Sequence, residues 1–375
     1  MKKAVVIPDS FKGTLTSREI CSIISDKISK HFPQCHIVSI PVADGGEGSV
    51  DCFLSALGGE KLFERVSSPY FEDMESFYGL IEDTAVIEMA ACAGLPLVED
   101  RKNPSLTTTY GVGQLIMAAA KKGCKKIIVG LGGSSTNDVG CGAAAAAGVK
   151  FYNKEGKEFI PVGKTLIDID RIDLTERAKE LDKIEIITMC DIDNPMYGPE
   201  GAAYVFGPQK GADEKMVVEL DKGLKHLCDV IERETGRNLK EIPGSGAAGA
   251  MGAGMIAFFD SVLQMGIETV LDTVKFEEII TDADMIFTGE GKFDKQSLRG
   301  KVVIGVGKRA KNKDIPVTVI AGGAALNIEE AYDMGVSSIF TINRLAEDFE
   351  ISRHKSKENL EATMDNILRL IKSIR

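Results

Sequence analysis

Short apolar runs that end in polar, glycine-bearing stretches, followed by segments of helical spacing, recur at both ends of this chain. Lys3–Pro8 reads as a buried strand and is followed by Asp9-Ser10-Phe11-Lys12-Gly13. Thr16-Ser17-Arg18-Glu19 then has the form of a capping box, and the spacing predicts a helix running to about Lys30. Ile37–Pro41 reads as a second strand, and Asp44-Gly45-Gly46-Glu47-Gly48 leads from it into a helix near Ser49–Leu57. The last hundred or so residues repeat the rhythm. Asp284–Thr288, Pro316–Ile320 and Ser337–Ile342 read as strands, and helices are expected from about Gly300, near Ile328–Met334, and over Lys357–Ile374.

Strands that alternate with helices imply one open parallel sheet. The stretch between its two halves is far too long for a loop, so the middle must fold as a domain of its own. The expected fold is α/β: a flavodoxin-like, five-stranded parallel-sheet domain (1–60 and 281–375) interrupted by a second, inserted α/β domain (61–280). In a flavodoxin-like order the first and third strands are neighbours at the switch point. The loops at 9–13 and 289–294 should then meet there. Within the insert, 61–66, 76–81, 85–89, 126–131 and 184–189 read as strands, 110–122 and 214–234 as helices, and 151–159 as a hairpin turning at 154–156.

Composition narrows the function. Of 375 residues, 44% are hydrophobic and 27% charged, and the formal net charge is -11. That balance suits a globular protein of about two domains and argues against nucleic-acid or anionic-membrane partners, which favour basic patches. The apolar run after Lys2-Lys3 ends at Pro8-Asp9, too short for a signal core, so a cytoplasmic location is expected. The eight cysteines form no CxxC pair and the four histidines no HExxH motif. Any metal should therefore be a hard, oxygen-liganded ion such as Mg²⁺ rather than zinc.

The candidate chemistry lies in acidic, glycine-rich strand-end loops, each of which also has a plainer structural reading. Gly305-Val306-Gly307-Lys308 lacks the leading glycine and the following Ser or Thr of a Walker loop. Gly244, Gly246 and Gly249 match G-x-G-x-x-G, yet no convincing strand precedes them. That loop, with Ser245, could cradle phosphate on backbone N–H groups or could simply pack a helix through small residues. Asp9, Ser10 and Lys12 could anchor substrate, or form a capped turn with a solvated lysine. Asp44 and Glu47 could bind Mg²⁺ or hydroxyls, or merely favour a helix start. The stretch Thr288–Ser297 is the most loaded, with Glu290, Asp294, Gln296 and Ser297. Asp191 and Asp193, after a strand, could supply a general base or an Asx-turn before Pro195. Gly132, Gly133, Ser134, Ser135 and Asp138 could hold phosphate or cap a helix.

Taken together and in order, PDSFKG (8–13), PVADGGEG (41–48), GGSSTNDVGCG (132–142), CDIDNP (190–195), PGSGAAGAMG (243–252) and TGEGKFDKQSLRGK (288–301) resemble the motifs of the type 1 glycerate kinase family. The resemblance spans the chain. It implies ATP- and Mg²⁺-dependent phosphorylation of D-glycerate, giving 2-phosphoglycerate, in a cleft between two α/β domains. On that reading Asp191, Lys12 and Glu290 are the expected catalytic residues, Asp191 the general base, and Asp191 and Glu290 the expected Mg²⁺ ligands. Asp9, Ser10, Lys12, Asp44, Glu47, Asp294, Gln296 and Ser297 would contact substrate, and Gly132, Gly133, Ser134, Ser135, Asp138, Gly244, Ser245 and Gly246 the nucleotide phosphates. The partners would be small molecules, and the protein a monomer or homodimer. The rival readings are another Mg²⁺-dependent sugar-acid enzyme, an isomerase or dehydratase, and a non-catalytic sugar-acid binding protein.

Overall fold

The structure, a computed structural model, describes residues 1–43 and 45–374; Asp44, singled out above, lies outside the described residues. The chain divides into two compact units, one of Met1–Ala43, Ser55–Leu57 and Met265–Arg375, the other of Asp44–Leu54 and Gly58–Gln264.

The first unit is built on a five-stranded sheet. Its spatial order is Ser338–Thr341, Val317–Ala324, Met285–Phe293, Lys3–Val6, His36–Ser39, and every pairing is parallel. This is the flavodoxin-like order expected from the sequence, with the first and third strands adjacent: Val5 lies opposite Ile286 and Val6 opposite Phe287. Side chains of a strand alternate between the two faces, and the cores follow that alternation. Ile320 packs with Ala4, Val6, Ile20, Ile24, Leu360, Met364 and Leu368 on one face. Its neighbours Val319 and Ala321 pack with Phe293, Val303, Ile304 and Ala331 on the other. The helix Ser17–His31 starts on the expected capping box: Glu19 donates its N–H to Thr16 Oγ1 at 3.2 Å, and Thr16 donates its own to Glu19 Oε2 at 2.8 Å.

One strand departs from expectation. The third runs to Phe293 instead of ending at Thr288. Its neighbour is extended alongside it, with Glu290 opposite Ala321 and Phe293 opposite Ala324, so continued ladder pairing keeps the glycine-rich stretch in strand conformation. Glu290 thus sits on a strand rather than in a loop. Two short helices, Gly266–Thr273 and Phe276–Ile280, also belong to this unit. They are tied to the helix Val302–Lys311 by Arg309, which donates to Glu268 (2.5 and 3.1 Å), Asp272 (2.6 Å) and Glu277 (3.0 Å).

The second unit carries a six-stranded sheet in the order Val262–Gln264, Glu185–Met189, Lys126–Gly130, Thr84–Glu88, Asp73–Ile81, Glu60–Ser67. The first four strands are parallel to one another and the last two join antiparallel. A small antiparallel sheet, Glu158–Phe159, Lys150–Tyr152 and Arg171–Asp173, completes it. Helices Tyr110–Lys121, Cys141–Ala146, Glu214–Thr235 and Ala247–Phe259 share one core with the large sheet. There Phe151 and Phe258 meet edge to face at 5.7 Å. No helix among the described residues is long and apolar enough to cross a membrane.

Arg309 gathers three carboxylates while staying largely covered, so its loss would leave like charges facing one another. Arg309→Met is expected to cost about 1–2 kcal/mol in low salt, because the partners are part-exposed and screened. The difference from wild type should narrow in ~1 M NaCl. Chemical denaturation at two ionic strengths checks this, and a salt-independent difference would contradict it.

Candidate functional site

In the first unit, the ends of the first and third strands converge. Asp9 donates its N–H to Gly289 O at 2.8 Å, and Thr288 Oγ1 donates to Ile7 O at 2.7 Å. A Cβ on Gly291 would stand 3.2 Å from both the Lys12 nitrogen and the Phe11 Cα. The Asp9–Gly13 turn and the Glu290–Ser297 segment are therefore in contact, as the switch-point argument requires. Asp9 Oδ1 accepts the Ser10 N–H at 2.6 Å, and the Lys12 side chain is exposed. Downstream, Asp294 Oδ1 accepts the Gln296 N–H at 2.9 Å, while Ser297 Oγ accepts the Asp294 N–H at 3.1 Å. The bond from Gln296, with Lys292 nearby, holds the Asp294 carboxyl below its usual range.

Glu290 is the unusual group there. It is only 6% exposed and its Oε1 has no hydrogen-bond partner among the described residues. Burial pushes its carboxyl up to about 7, opposed by Ser297 and assisted by the nearby Asp9 charge. A carboxyl in that state can take or release a proton near neutrality, or turn an unused oxygen to a cation.

In the second unit the strand ends are crowded by backbone. A Cβ on Gly132 would lie 2.4 Å from Gly46 Cα, so the two glycine loops touch main chain to main chain, and Gly132 donates its N–H to Gly45 O at 3.0 Å. The adjacent strand ends in Glu88, which is 2% exposed and accepts the N–H groups of Val50 (2.6 Å) and Gly48 (3.1 Å) at the start of the helix Ser49–Leu57. Burial raises its carboxyl above the usual value, against those two bonds. Glu47, next to this helix start, is exposed.

The Gly132–Asp138 loop is fixed from below. Asp138 is fully buried and accepts from Thr109 N and Oγ1, both at 2.8 Å, and from Gly140 N and Gly142 N at 3.2 and 3.3 Å. Its bonds all run into the unit. Lys210, also buried, donates from Nζ to Ser134 Oγ (2.8 Å) and Thr136 O (2.7 Å). Burial pushes its ammonium down to about 7, with Asp138 opposing. Ser135 Oγ donates to Ala93 O at 2.9 Å, leaving Gly132 and Gly133 as the more open part of the loop. The Cys190–Pro195 segment packs against the Gly244–Gly246 loop: Gly246 donates its N–H to Asn194 O at 3.0 Å, and a Cβ on Gly244 would come 2.8 Å from Cys190 Sγ. Asp191, in that segment, is half-buried, and Ser245 is fully buried.

A model of the glycerate kinase family matches residues 4–372. The chain belongs to the glycerate kinase family. Among its relatives, a glycerate kinase of Bacillus cereus (strain ATCC 10987 / NRS 248) is 43% identical over 97% of each chain. A glycerate 2-kinase of Escherichia coli (strain K12) is 40% identical over 91% of this chain and 90% of its own. The crystal structure of a glycerate kinase 2 from Salmonella typhimurium LT2 superposes with a TM-score of 0.87 at 36% identity, covering 99% of this chain and 98% of that one. The chain is thus an enzyme of this family, a kinase and a transferase.

For this glycerate kinase family member the geometry gathers the sequence-predicted residues into two constellations. One, in the first unit, joins Asp9, Ser10, Lys12, Glu290, Asp294, Gln296 and Ser297. The other, in the second unit, joins Glu47, the Gly132–Asp138 loop, Asp191 and the Gly244–Gly246 loop. Sequence reasoning passed over Glu88 and Lys210. Glu88 closes an apolar strand as a lone acid, and Lys210 sits in an unremarkable Pro-Gln-Lys turn; neither carries a motif.

Glu290 gives a pH signature. From its usual 4.5 to about 7, the folded protein holds a proton that the unfolded chain has released, so this group lowers stability as pH rises through that window. In EDTA-containing buffer, Glu290→Gln is expected to be more stable than wild type at pH 8 by about 2–3 kcal/mol, with no gain near pH 4.5. Denaturation curves at both pH values decide it; equal shifts at the two would refute it.

Proposed function

We propose that the protein transfers the terminal phosphoryl group of ATP to a hydroxyl of D-glycerate, giving 2-phosphoglycerate, as a type 1 member of its family. The single observation that carries this reading is the near full-length similarity to relatives named glycerate kinase and glycerate 2-kinase. The partners are proposed to be small molecules, the location the cytoplasm, and the protein a monomer or homodimer.

Phosphoryl transfer asks for positioning and charge neutralisation more than for covalent chemistry. Strand-end loops held by buried polar groups suit that task. Asp191 follows the strand Glu185–Met189 and is half-buried rather than locked inside. It is proposed to accept the proton of the reacting hydroxyl. Lys12 is exposed on the turn beside the third strand and is proposed to meet an anionic oxygen of substrate or nucleotide. The glycine loops at 132–133 and 244–246 are proposed to let phosphate come close to the backbone; the N–H groups of Gly132 and Gly246 are already given to Gly45 O and Asn194 O, so Gly133 and Gly244 are the proposed donors.

No three His, Cys, Asp or Glu side chains cluster as a metal cage among the described residues. Mg²⁺ is ordinarily held by one or two carboxylates with substrate phosphates supplying the rest. Asp191 and Glu290 fit that role as hard oxygen donors, and Glu290 Oε1 is an acceptor without a partner among the described residues. When bound, Mg²⁺ would offset the charge on the phosphates.

The test is ADP release at saturating Mg-ATP with and without D-glycerate, with the product identified by NMR. Glycerate-dependent ADP and 2-phosphoglycerate are expected. No glycerate-dependent ADP would overturn the kinase reading, and 3-phosphoglycerate would overturn the regiochemistry. Asp191→Asn is expected to lower kcat by roughly 10²–10⁴-fold with an unchanged circular dichroism spectrum. Undiminished turnover would remove Asp191 as the base.

A further inference from the structure

Thr136, Asn137 and Ser245 are buried polar side chains with unmet hydrogen bonds, carried on two loops that pack together. They are 0%, 1% and 0% exposed. Among the described residues, Thr136 Oγ1, Asn137 Nδ2, Asn137 Oδ1 and Ser245 Oγ have no partner. Folded proteins pair the large majority of such atoms, so several unmet together ask for an occupant. The two loops that carry them are held together. Val139 donates its N–H to Gly249 O at 3.1 Å, and a Cβ on Gly249 would fall 2.1 Å from Thr136 O and 2.5 Å from Asn137 Cα. Ser245 opens the same turn: Ala250 donates to Gly246 O at 3.2 Å and Ala253 to Ser245 O at 3.0 Å.

The backbone is strained at this place as well. Val139 (φ 56°), Ala248 (φ 56°) and Ala250 (φ 63°) all occupy the left-handed region that disfavours side chains. Such strain concentrates at functional sites, where the surroundings over-determine it.

The inventory of free groups defines the ligand. Two hydroxyls and an amide N–H₂ can donate, and the amide oxygen can only accept. The Lys210 ammonium approaches from one side, 2.7 Å from Thr136 O, and the facing carboxylate, Asp138, is already taken up by Thr109, Gly140 and Gly142. Three side-chain donors with one acceptor among them match a carboxylate that bears a neighbouring hydroxyl.

We propose that Thr136, Asn137 and Ser245 bind the carboxylate and adjacent hydroxyl of the acid substrate, with Asn137 setting specificity. This rests on the proposed activity toward glycerate and assigns the acid to residues beside the glycine loops proposed for phosphate. Asn137 Oδ1 accepts the hydroxyl proton, and Asn137 Nδ2 and the two hydroxyls donate to the carboxylate. The competing occupants are an ATP phosphate and a buried water.

The test titrates D-glycerate alone and Mg-ATP alone into wild type, Asn137→Ala and Ser245→Ala, and measures KM for each substrate. For Asn137→Ala, D-glycerate affinity is expected to fall at least tenfold while that for ATP stays within twofold. For Ser245→Ala a smaller loss with the same selectivity is expected. Stabilisation by Mg-ATP reports that each variant is folded; if Asn137→Ala does not fold, Asn137→Ser and Ser245→Ala carry the test. Glycerate affinity unchanged in the folded variants points to a water and overturns the proposal, as does ATP affinity falling as far as glycerate affinity. If wild type itself gives no glycerate-dependent ADP, the activity reading fails; if wild type turns over and the variants bind glycerate normally, only this assignment fails.

Discussion

The pairing of the first strand with the third governs the first unit. Thr288 Oγ1 reaches Ile7 O across a sequence separation of 281 residues, and the backbone ladder from Ala4 to Val6 closes the same gap. Contacts so distant are costly to form from an open chain, because closing a long loop removes conformational freedom before any packing offsets it. The cost falls if the intervening stretch folds on its own and brings its ends together. Residues 58–264 do carry their own sheets and a continuous core. Once the ladder forms, it sets the Asp9–Gly13 turn against the Glu290–Ser297 segment.

Much of this was legible because strand-end loops have a local grammar. A short apolar run, a glycine-bearing polar stretch and a capped helix define a unit without reference to the rest of the chain, and Thr16 with Glu19 gives such a signal. Strand order followed from the count of alternating elements. What was illegible depends on partners elsewhere. Glu290 reads as a loop residue because glycines flank it, yet the ladder with Val317–Ala324 holds it in a strand. Met265–Ile280 is tied to the first unit in part by Arg309, a residue of a later helix whose ion pairs have no sequence period.

The same division separates the candidate site residues. Asp9, Asp191 and the glycine loops announce themselves by residue type and place. Lys210 does not, because its meaning comes from Ser134 and Thr136, residues far away in sequence. Nor does Glu88, whose two backbone bonds bind a strand end to the start of the helix Ser49–Leu57. Both are charges placed inside the protein at an evident desolvation cost, and each holds a glycine-rich segment in position.

That placement accounts for the character of the loops. Backbone stripped of side chains can approach a ligand or another backbone closely, as Gly132 and Gly46 do, but it is also the part of a chain with most freedom to lose. Glycine-rich loops are useful to a phosphoryl-transfer enzyme only if something else removes that freedom before substrate arrives. Buried charges aimed at the loops from within do so without occupying their outer surface. Asp138, Lys210 and Glu88 are therefore best understood as the rigid underside of the glycine loops, and the permissive sequence above them as usable only because those three charges lie beneath it.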